Sequence, residues 1–320
     1  MFNKVMFYEF MKPLDKELLE AEKLEELLSS QKFVPIEDIL KKDDSAIASS
    51  YGFAPAVPSI NPDNLCHQTA DYIFFRYVKE VKKIKAAALR LRVEAREKEM
   101  KEKLGQERLT KEQRRQVKDE ITNVLLRKTI EDRHCVMVMM SRDCRWLAVD
   151  GSTALNEEAI SCLRKAIGTM PVETIKKDDP ESIFTGWVKG LTPPPPGVEI
   201  GEEFVLEDAD GARVTYKNQS IQTEELLSNI EEGKQVSALS LLYSPQGTES
   251  PIKFKLDSSF KLSGLKFIID TGDYDSEDEA GIADGVMAFR FSQINTMYGF
   301  IKSGMHEQGE AKAATEANAA

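Results

Sequence analysis

Two dipeptides, Cys66-His67 and His134-Cys135, hold the side chains best suited to metal ligation or nucleophilic catalysis. Zinc bound by Cys and His needs four ligands in closely repeated spacings such as C-x-x-C or H-x₃-H, and neither dipeptide has such a partner. His134 and Cys135 also fall in an apolar run that reads as a strand, where successive side chains face opposite ways. One of the two is therefore expected in the core. Carboxylates offer a second route. The run Asp270, Asp273, Asp275, Glu277, Asp278 and Glu279 suggests calcium. Aligned as an EF-hand from Asp273, it puts Asp278 where glycine is required and Asp284 where the bidentate glutamate belongs, so it reads as a polar linker. Asp143 and Asp150 flank a hairpin, but no Glu-x-Lys follows to complete a magnesium nuclease site. A G-x-x-x-x-G-K phosphate cradle is also missing. The sequence predicts no catalytic residue, no metal site and no cofactor.

Basic residues are the remaining chemistry, and their placement is uneven. The chain has 320 residues and a formal net charge of −11. Lys79 to Arg133 nevertheless carries 18 Lys/Arg against 11 Asp/Glu, a local excess of seven positive charges. A polyanion responds to the local field, because charges beyond a Debye length of roughly 8 Å are screened. Within that stretch, 79–96 has an excess of five, 97–110 is neutral and 111–118 has an excess of three. The cations of the two basic segments are Lys79, Lys82, Lys83, Lys85, Arg90, Arg92, Arg96, Lys111, Arg114, Arg115 and Lys118. Their composition supports contact with phosphates rather than base edges, with little sequence preference and a strong salt dependence.

The elements that must carry these cations are two helices. Ala86–Leu104 and Lys111–Lys128 are separated at Gly105, and Thr110 with Gln113 forms a capping-box signature. Their apolar stripes are thin (Leu89, Val93, Met100 and Leu104 on the first; Val117, Ile121, Val124 and Leu125 on the second), so the pair is expected to project from a globular body. Glu94/Lys98, Glu97/Lys101, Glu99/Lys103 and Glu107/Lys111 have the spacing of helix-surface ion pairs. The charge pattern places the basic excess along the root of both helices and leaves the tip neutral.

Around this pair the periodicity predicts strands at Phe2–Phe10, Tyr72–Val78, His134–Met140, Arg145–Val149 and Val172–Ile175. It also predicts an amphipathic helix over Leu14–Ser30 and another capped by Asn156 and ending at Gly168. Residues 35–65 read as loop with a short element or two. Pro193–Pro196 is a stiff break and a candidate domain boundary. Beyond it come a strand and hairpin, a helix at Thr223–Glu232, strands near Val236–Tyr243, Ile252–Leu256, Leu262–Ile269 and Val286–Phe291, and a last helix to Ile301. The expected organisation is a body over 1–78 and 134–192, the helical hairpin over 79–133, a second domain over 197–303, and a disordered tail over 304–320. Strands joined by hairpins with helices between groups of them define an α+β fold. Four scattered cysteines read as reduced core thiols. Met1–Lys12 has no leader-like pattern, and no apolar run is long enough to span a membrane, so a cytoplasmic location is expected, and contact of the basic segments with DNA would make it nucleoid-associated.

With those elements in place the chain resembles the recombination-associated RdgC family along nearly its whole length. The residues that carry the resemblance are F-N-K-V-M-F-Y-E-F at 2–10, Gly52-Phe53-Ala54-Pro55, and Cys162-Leu163-Arg164-Lys165-Ala166-Ile167-Gly168 followed by Met170-Pro171-Val172. Trp187-Val188, the segment Thr223-Glu224-Glu225 through Ile230-Glu231-Glu232-Gly233-Lys234-Gln235-Val236, and Gly264-Leu265-Lys266-Phe267 extend it. The resemblance implies a ring-shaped homodimer of α+β subunits around double-stranded DNA. It also implies functional antagonism with RecA and no catalysis. The hairpin would make one subunit contact, through Met100, Leu104 and Ile130. Ile130 takes the place of an aromatic in the family pattern, and a proline before it is replaced. Lys217-Asn218-Gln219 stands where the family has Lys-Lys-Gln, so Lys217 and Gln219 join the expected DNA contacts. A scaffold whose arm docks an acidic protein, and a metal-dependent nuclease, are the competing readings.

Overall fold

The structure, a computed structural model, describes residues 2–42, 47–176, 179–221, 223–245, 251–266 and 279–303. Strand β1 (Lys4–Phe10) is apolar on both faces: Val5 and Phe7 are buried on one side, Met6 and Tyr8 on the other. A strand of that kind belongs inside a sheet covered twice. Here β1 is the centre of one twelve-stranded antiparallel sheet. On one edge it pairs with β6 (Trp146–Asp150). On the other it pairs with β12 (Leu262–Lys266) and, further along, with β7 (Val172–Thr174).

The sheet continues from β6 through β5 (Glu131–Ser141) to β4 (Tyr72–Lys82), and ends at β2 (Ser49–Ala54) with β3 (Cys66–Gln68) beside it. From β12 it runs the other way through β11 (Ile252–Asp257), β10 (Gln235–Tyr243), β8 (Val198–Glu207) and β9 (Arg213–Lys217). Alternation assigns the side chains to two cores. Ile73, Phe75, Val136, Val138, Leu147 and Val149 pack under α1 (Ala21–Ser29) and α5 (Thr153–Ile167). On the opposite face Phe74, Met139, Trp146, Phe204, Leu239 and Phe254 pack under α6 (Pro180–Val188), α7 (Glu224–Glu231) and α8 (Glu279–Ser303). The short α2 (Ile36–Lys42) lies outside both stacks.

Helix α8 spans both halves of its face. Its Phe291 stacks on Trp146 at 5.7 Å and Asn295 Oδ1 accepts the indole N–H at 3.1 Å, while Phe300 meets Phe254 at 5.7 Å. Burying one such aromatic removes 150–250 Å² from water, a gross gain of roughly 4–6 kcal/mol. Val286–Phe291 is therefore helical, not the strand its alternation suggests. Met287, Ile294, Met297, Tyr298 and Ile301 are buried along one helical stripe.

Other boundaries also differ from expectation, and β5 starts at Glu131, three residues before His134. The helix expected over Leu14–Ser30 is a 3₁₀ turn (Lys16–Leu19) and then α1, broken where Glu20 is extended at ψ 137°. The N-cap of α5 is Ser152, whose hydroxyl accepts from Leu155 N–H, and not Asn156. Asn156 is buried inside the helix and donates to the Val149 carbonyl. Strand β4 runs four residues past Val78 to Lys82. The strand expected over Leu262–Ile269 is described to Lys266. Residues Asp270 to Asp278 of the acidic run, and the tail from Gly304, lie outside the described residues.

Candidate nucleic-acid interface

Two helices join β4 to β5: α3 (Ala86–Leu104) and α4 (Lys111–Lys128), with the boundaries the sequence predicts. Gly105 closes α3 in the left-handed region at φ 63°, a conformation that costs glycine nothing. Thr110 Oγ1 accepts from Gln113 N–H and Gln113 Oε1 from Thr110 N–H, completing the capping box. The pair leaves the body from neighbouring strands, with Lys82 opposite Glu131 in the ladder. No residue of α3 is buried, and α4 buries only Val117 and Leu126. Arg96 Nη2 donates to Glu120 at 2.9 Å and so fixes which parts of the helices are level.

That contact corrects the expected distribution of charge. Residues 111–118 begin at the turn, so they face the far half of α3 and not its root. The root of α4, 119–128, has two basic and two acidic residues. The basic excess therefore lies on α3 near the body and on α4 away from it. None of the four expected Glu-to-Lys surface pairs closes within 4 Å. Arg90–Glu94, Arg96–Glu99 and Arg115–Asp119 form instead.

Lys79 and Lys82 belong to β4 and are engaged there. Lys79 Nζ lies 2.7 Å from Glu158 of α5, and buried Lys82 is 3.9 Å from Glu131. Neighbouring Glu80 is buried too, accepting from Arg133 Nε at 2.8 Å and from Ile36 N–H at 2.8 Å. Lys83, Lys85, Arg92, Lys111, Arg114 and Lys118 are exposed and form no ion pair among the described residues. Lys85 is the N-cap of α3, whose first turn holds no acidic residue. Cations at the positive end of a helix dipole are unfavourable, by about 0.3–1 kcal/mol each at an exposed site.

Lys217 ends β9, opposite Glu203 in the ladder, and Gln219 N–H donates to the Glu202 carbonyl beyond it. The edge position of β9 puts both far along the sheet from α3. Of the expected subunit contacts, Met100 is half-buried, Leu104 is exposed, and Ile130 is 87 % exposed between α4 and β5. Leu91 and Val124 add two more exposed apolar side chains on the same helices.

Among the described residues, the side chains that suggested chemistry lie apart from one another. Asp143 is paired with Arg145, and Asp150 Oδ1 accepts the Asn3 and Lys4 N–H groups at 3.2 and 2.9 Å. Asp143 lies in the turn before β6 and Asp150 at the far end of that strand, which alone spans roughly 13 Å at 3.3 Å per residue. Cys66, Cys144 and Cys162 are buried, but Cys135 is exposed and His134 only half-buried, so neither member of that dipeptide is core. Burial pushes the Cys66 thiol up to about 12, which leaves it protonated and unreactive at neutral pH. Among the described residues no group of three or more His, Cys, Asp or Glu is placed to hold a metal, and no helix is long and apolar enough to cross a membrane.

One set of cations escaped the sequence reading. Lys253 and Lys255 alternate with buried Phe254 and Leu256 in β11, and that alternation was the available signal. Their side of the sheet carries Lys266, Lys4 and Lys217 as well, all exposed.

Taken together, the described residues form an α+β protein with one large antiparallel sheet, eight α-helices and a strongly basic helix pair inserted between two adjacent strands. Residues 1–298 match the family model described as "Putative exonuclease, RdgC". The chain belongs to the RdgC family. It is 29 % identical over 306 residues to the recombination-associated protein RdgC of Shewanella halifaxensis (strain HAW-EB4), covering 92 % of this chain and 93 % of that one. The protein of the same name from Shewanella piezotolerans (strain WP3 / JCM 13877) is 29 % identical over 269 residues, 83 % of each chain. Both names associate those relatives with recombination, and neither names an enzyme.

Proposed function

We propose that this chain is a non-enzymatic, largely sequence-independent binder of double-stranded DNA that restrains RecA-dependent recombination by occupying the duplex. The observation that carries the reading is the set of six exposed cations without ion pairs on and beside α3 and α4. Two of them, Lys83 and Lys85, crowd the positive end of a helix dipole. A phosphate backbone placed there relieves that repulsion. The recombination-associated name of the relatives supports the setting. In this reading the helix pair is a projecting antiparallel hairpin, and Leu104 and Ile130 are apolar contacts to a second copy in a closed homodimeric ring. DNA held in a ring is denied to a RecA filament by simple occupancy.

Titration of a random-sequence duplex against salt tests it. Six phosphate contacts give a slope of log affinity on log salt of about −5. A slope near zero sinks the phosphate reading. The same protein with Mg²⁺ should leave end-labelled duplex intact, and progressive shortening would overturn the non-enzymatic part.

A further inference from the structure

Four consecutive prolines, Pro193–Pro196, lie between α6 and β8, with only Gly197 between them and the strand. The folded molecule uses few of them. The carbonyl of buried Pro195 accepts from Val198 N–H at 3.1 Å, across a turn in which Gly197 takes φ 78°. Pro196 and Gly197 are the central residues of that turn, the pair a type II turn prefers. Pro193 is exposed and Pro194 half-buried. The turn requires one proline before its glycine, not four.

A run of prolines is slow to synthesise. In each cycle the incoming amine attacks the ester carbonyl carbon of the peptidyl-tRNA, a C–N bond forms, and the tRNA hydroxyl leaves with the proton. Proline's amine is secondary and held in a ring, and a proline already at the chain end has its φ locked. Neither partner can turn to bring nitrogen onto carbon. Three Pro–Pro bonds in a stiff extended rod repeat that obstacle in successive cycles. An exit tunnel of about 100 Å then holds roughly 30 extended residues, so the emerged chain ends close to the last turn of α5. Every buried residue of the core beneath α1 and α5 lies between Met6 and Met170. To within a few residues, the slow step falls when that core is complete outside the ribosome and β8 has yet to be made.

Competition for a strand edge makes the timing matter. β6 takes β5 on one side and β1 on the other. The β5–β6 pair is a local hairpin, but Val5 must find Asp150 across 145 positions of chain. β8 begins at Val198, 48 positions after Asp150. It is also an antiparallel strand with buried Phe204 and Leu206, so it suits the same open edge. Closing the shorter loop is faster, which gives β8 the advantage whenever both strands are free. At about 5–20 residues per second, residues 198–243, which hold β8 to β10, follow within roughly ten seconds.

We propose that Pro193–Pro196 is a translational pause that lets β1 claim the edge of β6 before β8 is made. The pause decides which strand takes the centre of the sheet, whatever the folded chain binds. Synthesis of the full chain in a reconstituted translation system tests it, with and without the elongation factor that accelerates consecutive proline addition. Without the factor, a peptidyl-tRNA ending within Pro193–Pro196 should accumulate. In the Pro193→Ala/Pro194→Ala variant, which keeps both turn prolines, that species should vanish. The soluble fraction of completed chains should fall at least about threefold in the variant, as strands that pair out of order aggregate. It should also fall in the unchanged chain when excess factor shortens the pause. Denatured and refolded, the two chains should recover equally, since neither is then presented in order. Absence of the stalled species overturns the pause. Stalling with a soluble fraction that does not follow its length overturns the role in folding. The unchanged chain carries that comparison without a substitution, so lost stability in the variant cannot imitate the result.

Discussion

Arg96 of α3 donates to Glu120 of α4 over 2.9 Å, nine residues before Gly105 and ten after Thr110. The symmetry of that span about the turn sets the register of the whole helix pair.

The contact fixes register without supplying much stability. Arg96 and Glu120 are 33 % and 45 % exposed, a setting in which an ion pair is worth about 0.2–1 kcal/mol. Arg96→Ala should therefore leave the helical signal at 222 nm almost unchanged. Val117 is fully buried. Val117→Asp, which buries an unpaired charge, should cost much of the signal of α3 and α4 while leaving the fluorescence of Trp146 and Trp187 in the body unaltered. Equal losses from the two variants would mean that packing is not what holds the pair.

At the root of the helices the Glu80–Arg133 pair is lopsided: Glu80 is 1 % exposed and Arg133 55 %. Removing the exposed partner leaves a buried carboxylate with only the Ile36 N–H, whereas neutralising the buried one leaves a cation in water. Arg133→Ala should thus cost about 3 kcal/mol and Glu80→Gln about 1 kcal/mol in denaturant unfolding. The reverse order would show that the carboxylate is not isolated from solvent.

Thiol chemistry gives a pH test. Burial holds the thiols of Cys66 and Cys162 up at about 12 and about 11, from an ordinary 9.0. At pH 8 only the exposed Cys135 should react quickly with a thiol reagent, and Cys135→Ser should abolish the fast phase. The sign for stability follows from proton counting. Above about pH 9 the unfolded chain releases these protons while the folded chain keeps them, so stability falls as pH rises from 9 towards 12. A flat stability profile over that window would contradict the buried thiols.

Both central helices could be read to the residue because their ends are written in local chemistry, a left-handed glycine and a reciprocal capping box. Helix α8 could not. Val286–Phe291 alternates like a strand, and only the distant Trp146 and Phe254 decide that its Met287–Ile301 stripe is the buried one. Helix α6 was missed for a related reason: its Phe184, Trp187 and Val188 acquire meaning only against β10 and the core beneath it. The family was recognisable from scattered motifs in order. The spatial sorting of charge was not, because segments that look symmetric about a turn in sequence, 79–96 and 111–118, lie at opposite ends of an antiparallel pair. Lys4 and Ser263 were illegible as neighbours since 259 residues separate them.

Strand β1 pairs with β6, β7 and β12, the first and last of them about 140 and 260 residues further along the chain. Until β12 exists, the Lys4–Val5 end of β1 has a bare edge, and the two halves of the sheet have no hydrogen-bonded seam between them. Contacts of such sequence separation slow folding, because loop closure must precede any gain from pairing. The joint of this molecule should thus be its last ladder to form, and mutations at Val5 and Leu262 should speed unfolding more than they slow folding.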